Sequence, residues 1–304
     1  MIRTVAVTGA TGFIGHHIVE KLLSRGFAVR GLTRQAYPSS DDNLIWIRGN
    51  LDDRVALAEL VREADCVIHC AGQVRGSREE IFTHCNVSGS LRLMQAVQAG
   101  GKCQRFLFIS SLAARYPQLS WYANSKFLAE QKLTAMADDI SLGIFRPTAV
   151  YGPGDKELKP VFNWLLRGIL PCLGSPEARL SFLHVSDLAE AVYQWLIVNA
   201  TEAMPMELCD GVAGGYSWQR LQEMASRIRG KPVHLIGIPL PLLKLAADIG
   251  TLSHRLTRKE PMLTRSKIRE LTHSDWSASN FRLSQYIDWR PEVSVDRALR
   301  ERLF

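Results

Sequence analysis

The sequence predicts an α/β protein: a doubly wound parallel sheet followed by a smaller, partly helical lobe. Three observations predict it. Short apolar runs alternate with amphipathic segments over the first 150 residues; a glycine-rich turn joins the first run to the first helical pattern; and glycine and proline break the alternation after about residue 150.

Thr4–Thr8 is the first strand, and Phe13–Ser24 follows with helical spacing. Ala28–Thr33 and Leu44–Ile47 read as the second and third strands, and Val55–Glu63 as the helix after them. Cys66–His69 is a fourth strand, followed by a long helical pattern over Glu80–Ala99. Arg105–Ser110, a helix over Trp121–Ala137 and Leu142–Phe145 complete the first half. Runs this uniformly apolar belong to strands covered on both faces. Right-handed crossovers then place the ligand crevice at the carboxyl ends of the strands.

Beyond that point Gly152, Pro153, Gly154, Pro160, Pro171, Gly174 and Pro176 interrupt the pattern. Helical spacing returns at Ser186–Val198, Ser217–Ile228 and Leu240–Leu256. We divide the chain into a first domain, residues 1–150, and a substrate lobe, residues 151–304, that interleaves with it.

With 46% hydrophobic and 22% charged residues, the chain is neither disordered nor fibrous. Its net charge of +7 suits an anionic ligand, and would also suit a weak nucleic-acid or membrane-surface contact, but most of it reads as solvated surface. No nucleic-acid partner is expected. The six cysteines lack CxxC spacing and any metal-type cluster, so they read as free thiols of a reducing compartment, with no metal site. The first residues show no secretory pattern, and Ile236–Ile249 is too short and too broken by Pro239, Pro241, Lys244 and Asp248 to span a bilayer. A cytoplasmic location is expected.

Between the first strand and first helix stands Thr8-Gly9-Ala10-Thr11-Gly12-Phe13-Ile14-Gly15. A tight turn needs Gly9, close approach of a pyrophosphate needs Gly12, and helix–strand packing needs Gly15. The helix N-terminus then offers free N–H groups and a positive dipole end to phosphates.

This loop resembles that of the extended short-chain dehydrogenases/reductases, a family with a Rossmann fold that includes nucleotide-sugar epimerases, dehydratases and 3β-hydroxysteroid-type dehydrogenases. The similarity continues in order through HCAG at 69–72, NVSGSLRLMQA at 86–96, SSLAA at 110–114, Tyr122-Ala-Asn-Ser-Lys126, RPTAVYGPGD at 146–155 and FLHVSDLAEAV at 182–192. It implies a nicotinamide dinucleotide held by Gly9, Thr11, Gly12, Phe13, Ile14, Gly15, Asn50, Leu51, Ala71, Gly72, Lys126 and Pro147. It also implies a homodimer.

An acidic residue ending the second strand would bind the ribose 2′-hydroxyl of NAD, whereas a nearby arginine accommodates the 2′-phosphate of NADP. Here Thr33 is followed by Arg34, which favours NADP(H) over NAD(H).

Tyr122 and Lys126, four apart on a helix, share one face. A free tyrosine titrates near pH ~10. A neighbouring ammonium would lower that value and let the phenol exchange a proton as hydride moves. Ser111 would hydrogen-bond the substrate oxygen, with Ser110 as a competing candidate. The resemblance adds Asn86, a mid-helix residue supporting a proton relay near the lysine. His69 and His184 read as packed, hydrogen-bonded histidines, and Asp187 as a structural cap or pair.

Nucleotide-sugar enzymes of this family place an arginine four residues before the histidine of FLHV. That position here is Leu180, and Arg179 lies one place earlier, on the opposite face of a strand. The apolar stretch from Leu235 to Gly250 could line a pocket for a hydrophobic ketone or alcohol, or pack as ordinary core. The basic cluster of Arg255, Arg258, Lys259, Arg265, Lys267 and Arg269 could meet an anionic substrate or lipid headgroups, or be a solvated face. The leading expectation is an NAD(P)-dependent oxidoreductase acting on a carbonyl or secondary alcohol of a mainly apolar small molecule. The alternatives are a nucleotide-sugar epimerase or dehydratase with retained NAD, and a non-catalytic dinucleotide-binding sensor or assembly subunit.

Overall fold

The structure, a computed structural model, describes residues 3–38, 41–198, 204–257 and 263–304. Its first half carries strands β1 (Thr4–Thr8), β2 (Ala28–Thr33), β3 (Leu44–Arg48), β4 (Cys66–His69), β5 (Arg105–Ile109) and β6 (Ser141–Pro147). The helices between them are α1 (Phe13–Ser24), α2 (Arg54–Val61), α3 (Glu79–Phe82), α4 (Gly89–Gly100) and α5 (Trp121–Met136).

The second half runs β7 (Ala149–Tyr151), α6 (Lys159–Arg167), β8 (Ile169–Leu173), β9 (Phe182–His184), α7 (Val185–Ile197), β10 (Pro205–Leu208), α8 (Trp218–Arg229), β11 (His234–Ile238), α9 (Leu240–Thr257), α10 (Arg265–Leu271) and α11 (Val295–Glu301).

Seven strands form one parallel sheet in the order β10-β6-β5-β4-β1-β2-β3. The order in which the chain adds strands reverses between β1 and β4, so the crevice opens above their carboxyl ends. β1 is buried at Val5, Ala6 and Val7 because both sheet faces are covered. On one face α1 and α7 pack Ile18, Leu22, Leu188 and Trp195 against Val5 and Val7. On the other, α2, α4 and α5 contribute Leu57, Leu60, Leu93, Met94 and Leu133. A third cluster, including Tyr151, Phe162, Tyr216 and Trp218, forms the core of the second half.

The six expected strands are present with end shifts of a few residues. The expected helix over Glu80–Ala99 is instead α3 and α4 joined by a π-helical segment, Thr83–Ser88. β7, β8, β10 and β11 were not expected, whereas β9 is the strand-like run that carries His184. β10 adds the seventh strand to the sheet of the first half through pairing with β6. All six cysteines are free thiols. Among the described residues, no helix is long and apolar enough to cross a membrane.

Candidate active site

The loop after β1 is shaped by contacts that side chains would block. Gly9 has φ +67°, and a Cβ there would stand 2.7 Å from the Ala71 nitrogen. A Cβ on Gly15 would lie 2.1 Å from the Gly9 carbonyl oxygen, so this pair sets how closely α1 approaches β1. Gly12 donates its N–H to that same carbonyl at 2.9 Å and is the N-cap of α1. No side chain caps α1, and its first turn holds no acid. The donors at this helix start therefore face no competing carboxylate, and Thr11 and Gly12 are exposed to a ligand while Phe13 and Ile14 are half-buried beneath it. Such a cradle fits a pyrophosphate.

At the end of β2, Thr33 is buried and its hydroxyl turns back to the Gln35 carbonyl at 2.8 Å. Arg34 is exposed, and no ion pair engages it among the described residues. Asn50 is exposed too, but its side-chain oxygen accepts the Asp52 N–H at 2.7 Å, which leaves the amide NH2 as its donor to a base. Leu51 is buried beneath it, against Gly89. Pro147 lies buried at the end of β6.

Residues 70–72 leave β4 beside the glycine loop, and Gly72 forms the seam between two expected site residues. A Cβ on Gly72 would meet Asn86 Oδ1 at 3.2 Å and Lys126 Nζ at 3.3 Å. Asn86 is buried in the π-helical segment. Its Oδ1 accepts the Gln73 N–H at 2.6 Å, and its Nδ2 donates to the Gln73 carbonyl at 3.0 Å and to Ser125 Oγ at 2.9 Å.

The two serines after β5 diverge. Ser110 Oγ donates to the Glu130 carboxylate, which Arg146 also engages. Ser111 is the N-cap of the short 3-10 turn Leu112–Arg115, where its Oγ accepts the Ala113 N–H at 3.2 Å, and its hydroxyl faces Tyr122 and favours the phenolate there. Tyr122 lies in the first turn of α5, whose N-cap, Ser120, accepts the Ala123 N–H at 2.9 Å. One turn on, Lys126 Nζ donates to the Ile109 carbonyl at 2.9 Å and lies 4.7 Å from the centre of the Phe108 ring. Ser111, rather than Ser110, thus joins Tyr122.

The electrostatics differ from the expectation in one respect. Burial pushes the Tyr122 phenol up to about 12, with Ser111 opposing the rise and Glu270 adding to it; Lys126 does not contribute. Burial also brings Lys126 down to about 8. Its ammonium is directed at a backbone carbonyl and an aromatic face, so it does not hold the phenol down.

Lys267 and Glu270 were not singled out as site residues. α10 brings Lys267 Nζ to 5.6 Å from the centre of the Tyr122 ring. Lys267 pairs with Glu270, and Glu270 accepts the Ser120 hydroxyl at 2.7 Å. Lys267, Thr264, Tyr122, Phe82 and Val74 line one narrow cavity. The basic cluster was visible in the sequence, but no local pattern says that one member folds back more than 140 residues onto Tyr122.

His69 is fully buried between Thr8 Oγ1 at 2.6 Å and Ser90 Oγ at 2.8 Å, and burial brings it down to about 3. His184 caps α7 through Ser186 and bonds the Leu303 carbonyl at 3.0 Å. Asp187 accepts the Val293 N–H at 3.0 Å. These residues tie backbone segments together, away from Tyr122. Arg179 is spent on the Gly214 carbonyl at 2.9 Å, and its neighbour Leu180 pairs with Tyr216 through the backbone. The stretch expected to be either pocket or core is neither throughout: Ile236, Leu240, Leu242, Leu245 and Ile249 are exposed. The residues Arg255, Arg258 and Lys259 of the basic cluster lie where no side chain is described.

A doubly wound parallel sheet, with an uncapped glycine loop at its reversal point and a serine, tyrosine and lysine gathered beside it, defines an NAD(P)-dependent enzyme of the extended short-chain dehydrogenase/reductase type. The chain belongs to the NAD dependent epimerase/dehydratase family, whose model matches residues 5–204.

It is 35% identical over 280 residues to a ceramide reductase of Caulobacter vibrioides, covering 91% of this chain and 86% of the other. It is 27% identical over 333 residues to a 2-alkyl-3-oxoalkanoate reductase of Stenotrophomonas maltophilia, covering 97% of each. Among solved structures, the UDP-glucose 4-epimerase of Thermus thermophilus in complex with NAD superposes with a TM-score of 0.71 at 23% identity, over 98% of this chain and 96% of the other.

Proposed function

We propose that this protein is an NADPH-dependent reductase of a ketone carried on a mainly apolar molecule. The observation that carries the reading is the convergence of Ser111, Tyr122 and Lys126 at the mouth of the dinucleotide crevice. The cofactor would lie along Gly9, Gly12 and Gly15, with Ala71, Gly72 and Pro147 lining it and Arg34 on the 2′-phosphate. When bound, the reduced nicotinamide supplies the hydride.

The chain's own groups do the rest. Ser111 and Tyr122 hydrogen-bond the carbonyl oxygen and hold it as negative charge develops there. Tyr122, protonated throughout the neutral range, gives its proton to that oxygen, and the carbonyl becomes a secondary alcohol. Lys126, held by the Ile109 carbonyl and set against Gly72, is placed to bind the nicotinamide ribose rather than to hold the phenol down, so the phenolate left behind is stabilised by Ser111. Asn86, joined to Ser125 and to the Gln73 backbone, keeps the wall behind Lys126 in place and gives a path for replacing the proton.

Two relatives support an apolar substrate: one is named a ceramide reductase and the other a 2-alkyl-3-oxoalkanoate reductase. The reading therefore takes a ketone on an alkyl chain, with an amide or carboxylate group attached at the next carbon, as the substrate class. It also includes a cytoplasmic homodimer, supported by the six unpaired thiols and the family resemblance. The engagement of Arg179 by a backbone carbonyl argues against a nucleotide-sugar diphosphate clamp at that position.

The test is NADPH oxidation with 3-oxo acids and with N-acylated 2-amino-3-ketones of long chain, after release and identification of any nucleotide carried through purification. NADPH consumption that falls at least 10³-fold in Tyr122→Phe, with nucleotide affinity intact, supports the reading. Tightly retained NAD and conversion of a UDP-sugar without net redox change would replace it with the epimerase reading.

A further inference from the structure

The helix α9 divides its side chains sharply. Leu243, Ala247 and Gly250 turn toward the protein, while Leu242, Leu245, Ala246 and Ile249 turn away from it. The outward positions follow the i, i+3, i+4, i+7 spacing of a single helical stripe. Leu242, Leu245 and Ile249 are 57%, 56% and 59% exposed, and Ile236 and Leu240 just before them extend the patch. Scattered exposed leucines are ordinary, but a continuous stripe on one helix marks a contact surface.

Cations border the stripe. Lys244 is exposed within it, and Lys231, Arg265 and Arg269 are exposed on adjoining segments. Asp248, the one acid in α9, is paired with Arg265, so that pair carries no net charge and the margin rests on Lys244, Lys231 and Arg269. Over residues 240–270 the sequence holds seven lysines and arginines against three acids, and of those acids Glu270 is buried and paired with Lys267. An apolar stripe with a cationic margin and almost no free acid is the composition of a helix that lies in the plane of an anionic bilayer.

A second copy of this chain fits the patch poorly. A two-fold interface brings the same surface of each subunit together, and would set one cationic margin against another. An anionic lipid surface neutralises that margin and covers the leucines at once. α9 also abuts α10, whose Lys267 stands over Tyr122, so the patch borders the candidate active site.

We infer that the outward face of α9, with its flanking lysines and arginine, is a docking surface for an anionic phospholipid bilayer, bound peripherally. The inference goes beyond the reductase reading and does not need it, because the readout is binding.

The experiment is flotation of the full chain with extruded vesicles, either phosphatidylcholine alone or with roughly a third phosphatidylglycerol. The wild type is expected to float with the anionic vesicles at low salt and to be released at about 0.5 M salt, where charges are screened within a few Å. Leu242→Glu/Leu245→Glu/Ile249→Glu is expected to lose at least ten-fold in partitioning while binding NADPH as the wild type does. Lys244→Glu should lose less. Failure of the wild type to float, or flotation unchanged in the triple variant, overturns the inference. So does a wild-type dimer in sedimentation that the triple variant converts to monomer, which would make this face a subunit contact. If the triple variant no longer binds NADPH, Leu245→Glu alone is decisive on the same terms.

Discussion

Lys267 and Tyr122, 145 positions apart, meet at the candidate active site, with the ammonium 5.6 Å from the centre of the phenol ring. Glu270 completes the group, because it pairs with Lys267, accepts the Ser120 hydroxyl and raises the Tyr122 pKa. Replacing Glu270 by glutamine keeps an acceptor for Ser120 but removes the charge. In Glu270→Gln the phenol titration profile of Tyr122, read by ultraviolet difference against Tyr122→Phe, should move to lower pH by several tenths of a unit or more. A profile that keeps its position would show that Glu270 does not act on the phenol.

Ser110 and Ser111 give a paired test. Ser111→Ala removes the hydroxyl beside Tyr122 and is expected to lower kcat about 10²-fold, while loss of its cap on the 3-10 turn costs no more than about 1 kcal/mol. Ser110→Ala instead deprives buried Glu130 of a donor, and should cost about 1–3 kcal/mol in denaturant unfolding with a smaller effect on kcat. Equal losses of activity in both variants would contradict the division of roles.

Arg34 is exposed at the end of β2, and no acid among the described residues engages it. Arg34→Ala should weaken NADPH binding about 10- to 100-fold, as expected for loss of a charged hydrogen-bonded pair, and change NADH binding little. Titration of both nucleotides checks this, and equal effects on the two would remove Arg34 from the 2′-phosphate.

His69 links acid sensitivity to the core. Its folded-state value, about 3, lies below its ordinary 6.5, so between these values the unfolded chain binds the extra proton. Stability from this group is therefore fully present above pH ~6.5 and declines as pH falls toward 3, by an amount on the order of a few kcal/mol. Unfolding free energies measured between pH 7 and 4.5 should fall less steeply in His69→Gln than in wild type, even though the variant starts from lower stability.

The sequence made the sheet legible because Val5-Ala6-Val7 and Phe106-Leu107-Phe108 carry unbroken apolar runs that only strands buried on both faces require. The glycine loop was legible for a steric reason, since Gly9 and Gly15 occupy positions where a Cβ would strike backbone. Strands β8 and β11 were missed. Each has one partner, and the exposed Ile169 and Ile236 give no period that distinguishes a strand from a loop. Leu235–Gly250 was read as pocket lining or core because composition does not report direction; only the placement of Ala247 inward and Leu245 outward does. Lys267 and Glu270 were missed because their importance comes from long-range packing of α10 on Ser120 and Tyr122.

The π-helical segment Thr83–Ser88 makes chain length itself a requirement here. A π turn holds an extra residue compared with an α turn, and that residue sets the angle at which Asn86 meets Gln73 and Ser125. Deleting any one residue between 83 and 88 would relax the segment to ordinary helix and rotate what precedes it by about 100° relative to α4. Asn86 or Phe82 would then leave its present neighbours, although every side chain with a chemical role had been retained. In this stretch an insertion or deletion should therefore be harsher than most substitutions, and the spacing from Gly72 to Ser90 is as much a part of the site as the residues within it.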